Sequence, residues 1–244
     1  MKKTSIILLA SIMLLGIAGC KNGNADQELS QQQDSLSNVE SGQQKSSVTS
    51  SDPRARIYYQ GDFDREYSYI VISKKDLNLS VYADLDDGTV LVARYPVCLS
   101  KNKGQKSENG DMKTPESEPN EPFTITEIKD ASTWCHDFGD GRGEIPAYGA
   151  WFLRLSYGSG IGIHGSTNNE WSIPGSKMKA PKGKTVGRDS EGCIRLGDDE
   201  ICHLHDNYAF VGQKVFIKKE DQGALPFEKN LENKDDEGKL LVFK

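Results

Sequence analysis

Hydrophobic and polar positions divide the chain into three parts. Residues 6–17 form an almost wholly apolar run, and residues 20–56 are polar and contain no aromatic side chain. From residue 57 onward, short apolar or alternating runs are separated by turn residues, which is the pattern of β-strands. The strands predicted in this way are residues 67–73, 77–82, 89–97, 123–128, 150–157, 160–164 and 211–218.

A single helix is predicted over residues 197–208, with Asp198 as its candidate N-cap. Residues 57–219 are therefore predicted to form one mainly β domain with few helices. Residues 220–244 carry seven acidic residues and four lysines. We expect them to form a loosely ordered acidic tail, in which residues 240–243 could add a strand.

Composition and charge narrow the classes of function. Only 36% of the 244 residues are hydrophobic, which is low for a chain that folds from end to end. The polar stretch 20–56 cannot bury enough apolar area to offset its ordering entropy, so we interpret it as a flexible tether. The net charge is −6, with 30 basic and 36 acidic residues. This balance argues against a nucleic-acid-binding protein.

The first 20 residues have the pattern of a secretory signal. Lys2 and Lys3 precede the apolar run, which is too short for a good transmembrane helix and ends in small residues before Cys20. The Ala-Gly-Cys ending resembles a bacterial lipobox, which implies that residues 1–19 are removed and that Cys20 is lipidated. The protein is therefore expected outside the cytoplasm, where its acyl chains hold it on a membrane surface. In a Gram-negative cell it would face the periplasm. An ordinary signal peptide with a coincidental cysteine is the alternative.

Four further cysteines lie beyond Cys20, at positions 98, 135, 193 and 202. An extracytoplasmic location permits disulfides. Cys135 is interpreted as structural, with Cys98 as its candidate partner. Cys193 follows a glycine that allows close backbone approach to a ligand, and we interpret it as a free nucleophile.

His164 is the candidate base for this thiol. It ends the apolar run 161–164, and an imidazole at a strand end can accept the proton of a cysteine. Backbone N–H groups around Gly192 and Cys193 could supply an oxyanion hole. Arg195 lies on the same side of an extended chain as Cys193, where it would bind a substrate carboxylate or form a structural ion pair.

Three sequence blocks follow one another in the predicted domain: Gly110 through Thr114-Pro115 to residues 123–125, AWFLR at 150–154 leading to IHGS at 163–166, and SEGCIRL at 190–196. Together, over residues 69–218, they resemble the catalytic domain of L,D-transpeptidases of the YkuD type. The resemblance implies a mainly β fold, an L,D-transpeptidase-type β-sandwich with one or two short helices. It places the active cysteine in a cleft.

The resemblance also implies an enzyme that acts on peptidoglycan stem peptides. Cys193 would attack the bond between diaminopimelate and D-Ala of a tetrapeptide stem and transfer the acyl group from a thioester to an amine. His164 would be the base, and the Ser166 region would orient it. The residues implied in substrate contact are Arg195, Ser190, Gly165 and Trp151. The resemblance implies no metal or organic cofactor, and it implies inhibition by carbapenems.

Departures from the family pattern keep other functions open. Many members have His where this chain has Glu191, whose charge would raise the pKa of the thiol. Ser117 stands where the family usually has a glycine. The 28 residues between His164 and Cys193 are a long separation for the family. They include a basic segment at 177–186, which either covers the cleft or is simply solvated. Water as acceptor would give an L,D-carboxypeptidase or a lipoprotein-releasing amidase. A non-catalytic wall-binding lipoprotein is the third hypothesis.

A zinc site over residues 202–206 is not predicted. The run Cys-His-x-His-Asp contains ligand types, but residues two apart on a helix do not share a face.

Overall fold

The computed structural model describes residues 55–139, 141, 143–158, 160–166 and 183–243. The predicted signal peptide, Cys20, nearly all of the tether and residues 177–182 of the basic segment lie outside the described residues. Within the described part, no helix is long and apolar enough to cross a bilayer.

The described residues contain thirteen strands and two α-helices, with one 3-10 turn at Arg65–Tyr67. The elements are β1 (Arg56–Ile57), β2 (Ser68–Ser73), β3 (Asn78–Leu85), β4 (Gly88–Pro96), β5 (Cys98–Ser100), β6 (Phe123–Asp130), β7 (Cys135–Asp137), β8 (Glu144–Pro146), β9 (Trp151–Leu155), β10 (Gly162–His164), β11 (Gly187–Ser190), β12 (Ile194–Arg195), α1 (Asp198–Asn207), β13 (Lys214–Ile217) and α2 (Pro226–Lys229). The mainly β prediction is confirmed.

Eleven strands join in the order β1-β4-β3-β2-β13-β6-β9-β10-β12-β5-β11, and β7 and β8 form a separate hairpin. The sheet has two halves that meet at β6: β1 to β13 in this order form the first, and β9 to β11 form the second. The first half is built on the antiparallel meander β2-β3-β4. Strand β6 belongs to both halves, since it pairs with β13 on one side and β9 on the other. The second half carries the site, and its strands β10 and β12 are parallel.

Strand β2 is apolar on both faces because each face packs on a different cluster. Ile70 and Ile72 belong to the main core, which also holds Leu153, Ile163 and Ile194 of the second half. The alternate residues Tyr69 and Val71 pack in a second cluster. Because successive side chains of a strand point to opposite faces, one set of β2 residues packs in the main core and the other set packs in the second cluster.

The C-terminal segment covers that outer surface. Leu225 and Leu231 are buried in the second cluster with Tyr82 and Leu91 of the meander, and Phe227 packs against them. Within the tail expected to be loosely ordered, residues 225–233 are therefore packed against the meander, whereas Leu241, Val242 and Phe243 are exposed. The strand proposed at 240–243 is reduced to isolated bridges, including Phe243 opposite Ile57.

Helix α1 begins one residue later than predicted and is capped differently. Gly197 is the N-cap, and no side chain caps this end. Asp198 is the first helical residue, and its Oδ1 accepts from the Ala150 N–H at 2.8 Å. The prediction of Asp198 as N-cap is wrong, because its carboxylate ties α1 to the segment before β9. Arg65 donates to the Ala209 carbonyl and to that of His205, satisfying the other end of the helix.

Candidate active site

One row of paired residues crosses five strands of the second half. Phe152, His164, Arg195, Cys98 and Gly187 are successive partners on β9, β10, β12, β5 and β11. Paired residues of neighbouring strands lie side by side on the same face. The pairing of β10 with β12 thus brings the His164 segment beside the strand that directly follows Cys193, across 28 intervening residues.

His164 is held as a neutral base. Its Nδ1 lies 2.7 Å from the Gly165 carbonyl, so Nδ1 donates and Nε2 keeps its lone pair. The residue is 4% exposed, and its ring stacks on Phe152, with Tyr148 edge-on at 5.2 Å between ring centroids. Burial and the positive charge of Arg195 lower the pKa of His164 to about 4, although the carbonyls of Gly165 and Tyr148 act in the opposite direction.

Cys193 is a free, partly exposed thiol in the turn between β11 and β12. Its surroundings are crowded, and burial raises the pKa of Cys193 above its ordinary value. The Gly162 backbone N–H and the cations Arg195, Lys106 and Arg154 act to lower it. Near neutral pH the pair is therefore a thiol and a neutral imidazole, so the thiol needs a general base as it attacks.

Ser190 and Gly192 build the turn that carries the nucleophile. The Ser190 hydroxyl donates to the Cys193 carbonyl at 2.6 Å and accepts from the Gly192 N–H at 3.3 Å. Gly192 has φ of +143°, and a Cβ there would lie 3.1 Å from the Lys113 carbonyl oxygen. The Gly192 N–H is thus engaged within the turn, and an oxyanion hole built from the backbone around Gly192 and Cys193 stays a prediction. Ser190 shapes the loop and is not placed as a substrate contact.

Arg195 and Ser166 anchor the chain that returns to β11. Arg195 Nη1 lies 3.3 Å from the Lys184 carbonyl and 3.5 Å from Asp189 Oδ2, which favours the structural ion pair over a substrate contact. The Ser166 hydroxyl donates to the Gly183 carbonyl at 3.3 Å. The orienting group of His164 is therefore the neighbouring Gly165 carbonyl and not Ser166.

Trp151 lies on the opposite face of β9 from its neighbour Phe152, which stacks on His164. Its indole ring stacks on His205 of α1, with ring centroids 3.6 Å apart and planes 7° apart. One face of the indole is thus covered by α1, and the predicted substrate contact of the partly buried Trp151 stays a prediction. Gly165 is required for packing, since a Cβ there would lie 2.7 Å from Asp198 Oδ1.

Two site features are missed by the sequence analysis. One is Tyr148, whose ring lies edge-on to His164; burial raises its pKa, and repulsion from the ionised forms of Cys193 and Glu191 acts in the same direction. The other feature is a buried ion pair, Lys106 with Asp111 at 2.7 Å, on the loop against Gly192. No periodicity marks either feature, because both lie in irregular segments between strands.

Contacts of the other cysteine and histidine residues bear on the predicted disulfide and on the run 202–206. Cys98 is buried as a free thiol, so the predicted Cys98–Cys135 disulfide is wrong. The His203 ring nitrogen pairs with the Tyr95 hydroxyl at 2.7 Å, and His205 pairs with the neighbouring carboxylate of Asp206. Over the part of the chain that the structure describes, no three ligand side chains converge on a metal-sized site.

Residues 67–217 match a family model described as the L,D-transpeptidase catalytic domain, YkuD. A comparison with curated proteins gives no match. Among solved structures, the chain is similar to Bd1075 of Bdellovibrio bacteriovorus at 23% identity, with 66% of this chain and 50% of that chain covered and a TM-score of 0.40.

Two further solved structures are similar. The helical cell shape determining protein Pgp2 of Campylobacter jejuni is 19% identical, with coverage of 71% of this chain and 55% of that chain and a TM-score of 0.42. The L,D-transpeptidase LdtMt1 in complex with imipenem is 17% identical, with coverage of 62% and 58% and a TM-score of 0.38. Each similarity spans less than two thirds of the other chain. Because the family model matches more than half of its residues, the chain belongs to the L,D-transpeptidase catalytic domain family.

Proposed function

We propose that this chain is a cell-wall L,D-transpeptidase in which Cys193 cleaves the bond between diaminopimelate and D-Ala of a tetrapeptide stem. The observation that supports it best is the state of His164. Its Nδ1 is fixed on the Gly165 carbonyl, and burial keeps the ring neutral in the strand beside the Cys193 turn. A neutral imidazole with an unprotonated Nε2 is the form that a general base requires.

In the first half-reaction, the Cys193 proton moves to Nε2 of His164 while the sulfur attacks the carbonyl of the diaminopimelate residue. The imidazolium then donates this proton to the departing nitrogen, and D-Ala leaves as an amine. A thioester remains on Cys193. The cations Arg195 and Lys106 favour the negative charge that sulfur carries during attack.

In the second half-reaction, an amine replaces sulfur at the same carbonyl. Neutral His164 takes a proton from the attacking nitrogen, the C–S bond breaks, and the thiolate of Cys193 regains its proton from the imidazolium. The product is a new amide, which is a cross-link when the amine belongs to a second stem. The proposal also places the domain outside the cytoplasm, tethered by residues 20–56 to lipidated Cys20.

The test incubates the full chain with a purified tetrapeptide muropeptide and identifies the products by mass spectrometry. A Cys193→Ala variant runs beside it. Cross-linked dimers that have lost one D-Ala, absent with the variant, are the expected result. Tripeptide monomers alone would replace transpeptidation with carboxypeptidation. The absence of turnover by either protein would contradict cleavage of this donor and favour the wall-binding alternative.

A carbapenem supplies an independent readout, because a relative has been solved in complex with imipenem. We expect imipenem to add its mass to the Cys193 peptide of the full chain and to leave the Cys98 and Cys202 peptides unchanged. An adduct on another cysteine, or no adduct, would contradict the assignment of Cys193 as nucleophile.

A further inference from the structure

The loop between β5 and β6 is organised around one carboxylate. Asp111 Oδ1 accepts from Lys106 Nζ at 2.7 Å and from the Lys113 N–H at 3.0 Å. Its Oδ2 accepts from the backbone N–H groups of Ser107 and Glu108, at 2.8 and 3.3 Å. Burial acts to raise the pKa of Asp111, but these donors hold it well below its usual range. Asp111 is therefore a fixed anion that orders the loop.

Lys106 is buried although it is a lysine. Its residue exposure is 6%, and its ammonium donates to Asp111 and to the Glu108 carbonyl at 3.0 Å. A buried ion pair is weak evidence for stability, since desolvation of the two charges offsets much of their attraction. The position of this pair therefore calls for an explanation other than stability.

That position is directly against the nucleophile turn. A Cβ on Gly192 would lie 3.9 Å from Lys106 Nζ and 3.1 Å from the Lys113 carbonyl oxygen. Gly192 is the residue before Cys193, so the ammonium lies beside the backbone that leads into the reacting residue. The ammonium has three N–H bonds, and two of them are used by partners among the described residues.

We infer that Lys106 is a positioning residue for Cys193: held by Asp111, its buried ammonium fixes the Gly192 turn and stabilises the negative charge that the sulfur carries during attack. This inference rests on the proposed nucleophile of the previous section. Exposed cations act weakly because water screens them, whereas this one is enclosed beside the turn. The loop thereby adds a second cation, on a separate segment of the chain, to the one that Arg195 supplies.

The test measures the rate of iodoacetamide alkylation of Cys193 in the full chain against pH, by mass spectrometry of the Cys193 peptide. For Lys106→Met we expect a profile displaced by about one pH unit to higher pH, which is about tenfold slower alkylation at pH 7. Lys101→Met is the matched control. Lys101 lies on the same loop as Lys106 but is half-exposed, and its Nζ is 3.9 Å from Glu191 Oε1. We expect its profile to be unchanged.

Lys106→Met leaves the Asp111 carboxylate buried without its partner, so a second variant separates charge from folding. Lys106→Met combined with Asp111→Asn removes both charges. We expect it to recover the melting temperature and to keep the slow alkylation. Each of three results would overturn the inference. The double variant could be alkylated at the wild-type rate, or Lys106→Met could lower the melting temperature without moving the pH profile. The third result is a pH profile displaced as far in Lys101→Met as in Lys106→Met.

Alkylation does not require a muropeptide substrate, so the two proposals fail separately. A displaced profile in a protein that never turns over a tetrapeptide stem would contradict the proposed function alone. Normal cross-linking by the wild-type chain with an unmoved profile in Lys106→Met would contradict the role of Lys106 alone.

Discussion

Gly149 and Gly165 pass each other so closely that a Cβ on Gly149 would lie 2.7 Å from the Cα of Gly165. The contact has a functional consequence because each glycine is bonded to a site residue. Tyr148 precedes Gly149 and meets the His164 ring edge-on, while the Gly165 carbonyl accepts from the same ring. Contact between two backbones therefore fixes the base from both sides.

Substitution of Gly149 by alanine should damage both stability and reactivity. The residue has φ of +66°, which costs about 1 kcal/mol for a non-glycine residue, and its Cβ would also overlap the backbone of Gly165. Gly139→Ala is the control, since Gly139 has φ of +68° and no described atom lies within 4 Å of the position that its Cβ would take. In urea unfolding, Gly149→Ala should lose at least about 2 kcal/mol more than Gly139→Ala. Equal losses would mean that the backbones separate without cost.

His164→Gln should slow acylation of Cys193 by imipenem at pH 7 by a factor of about 100 or more, the usual contribution of a positioned base. His203→Gln is the control, because His203 is a partly buried imidazole that pairs with Tyr95. We expect its acylation rate to stay within about twofold of wild type, as followed by intact-protein mass spectrometry. Equal slowing in both variants would show that His164 acts only through packing.

The depressed pKa of His164 predicts that stability falls in acid. The folded-state pKa is about 4 and the ordinary value is 6.5, so the unfolded chain binds more protons between these values. Stability contributed by neutral His164 is present above pH 6.5 and is lost as the pH falls toward 4. Between pH 7.5 and 5 this loss amounts to about 2 kcal/mol. Urea unfolding at both pH values should show a smaller loss in His164→Gln, and equal losses would contradict the assignment.

Much of the fold could be predicted from the chain because its long strands carry a period of two. Strands β2, β3, β4, β6 and β9 overlap their predicted segments. Strands β5, β11 and β12 contain only two to four residues, too few for a period to be recognised. Their positions depend on pairing across the sheet. The row that joins His164 to Arg195 therefore depends on tertiary pairing and could not be predicted from local sequence patterns.

The site was only partly predictable for a related reason. His164 and Cys193 stand in motifs, but the roles of their neighbours depend on which way each side chain points. Trp151 and Phe152 are adjacent aromatic residues in one block, yet Phe152 faces His164 and Trp151 faces α1. The C-terminal segment reads as acidic and loose because its apolar residues are scattered among charges, and their use becomes visible only against β2.

The C-terminal segment should contribute to stability through Asn233. Its Nδ2 donates to the carbonyls of Leu91 and Tyr58 at 2.7 and 3.2 Å, and its Oδ1 accepts from the Leu91 N–H. Asn233→Ala leaves these buried groups without partners and should cost about 3 kcal/mol in urea unfolding. Asn207→Ala, which removes an exposed bond to the His203 carbonyl, should cost less than about 1 kcal/mol. Equal costs would mean that the segment is not held by Asn233.

Glu191 is the departure from the family pattern that most directly concerns the thiol, and its effect on alkylation should be small. The side chain is 46% exposed and lies 3.9 Å from the equally exposed Lys101, so water and a cation both screen its charge. The charged groups that act most strongly on Cys193 are the cations Arg195, Lys106 and Arg154. Glu191→Gln should therefore leave the pH profile of Cys193 alkylation within about twofold of wild type. Acceleration of about tenfold at pH 7 would show that the carboxylate restrains the nucleophile, and would strengthen the wall-binding alternative.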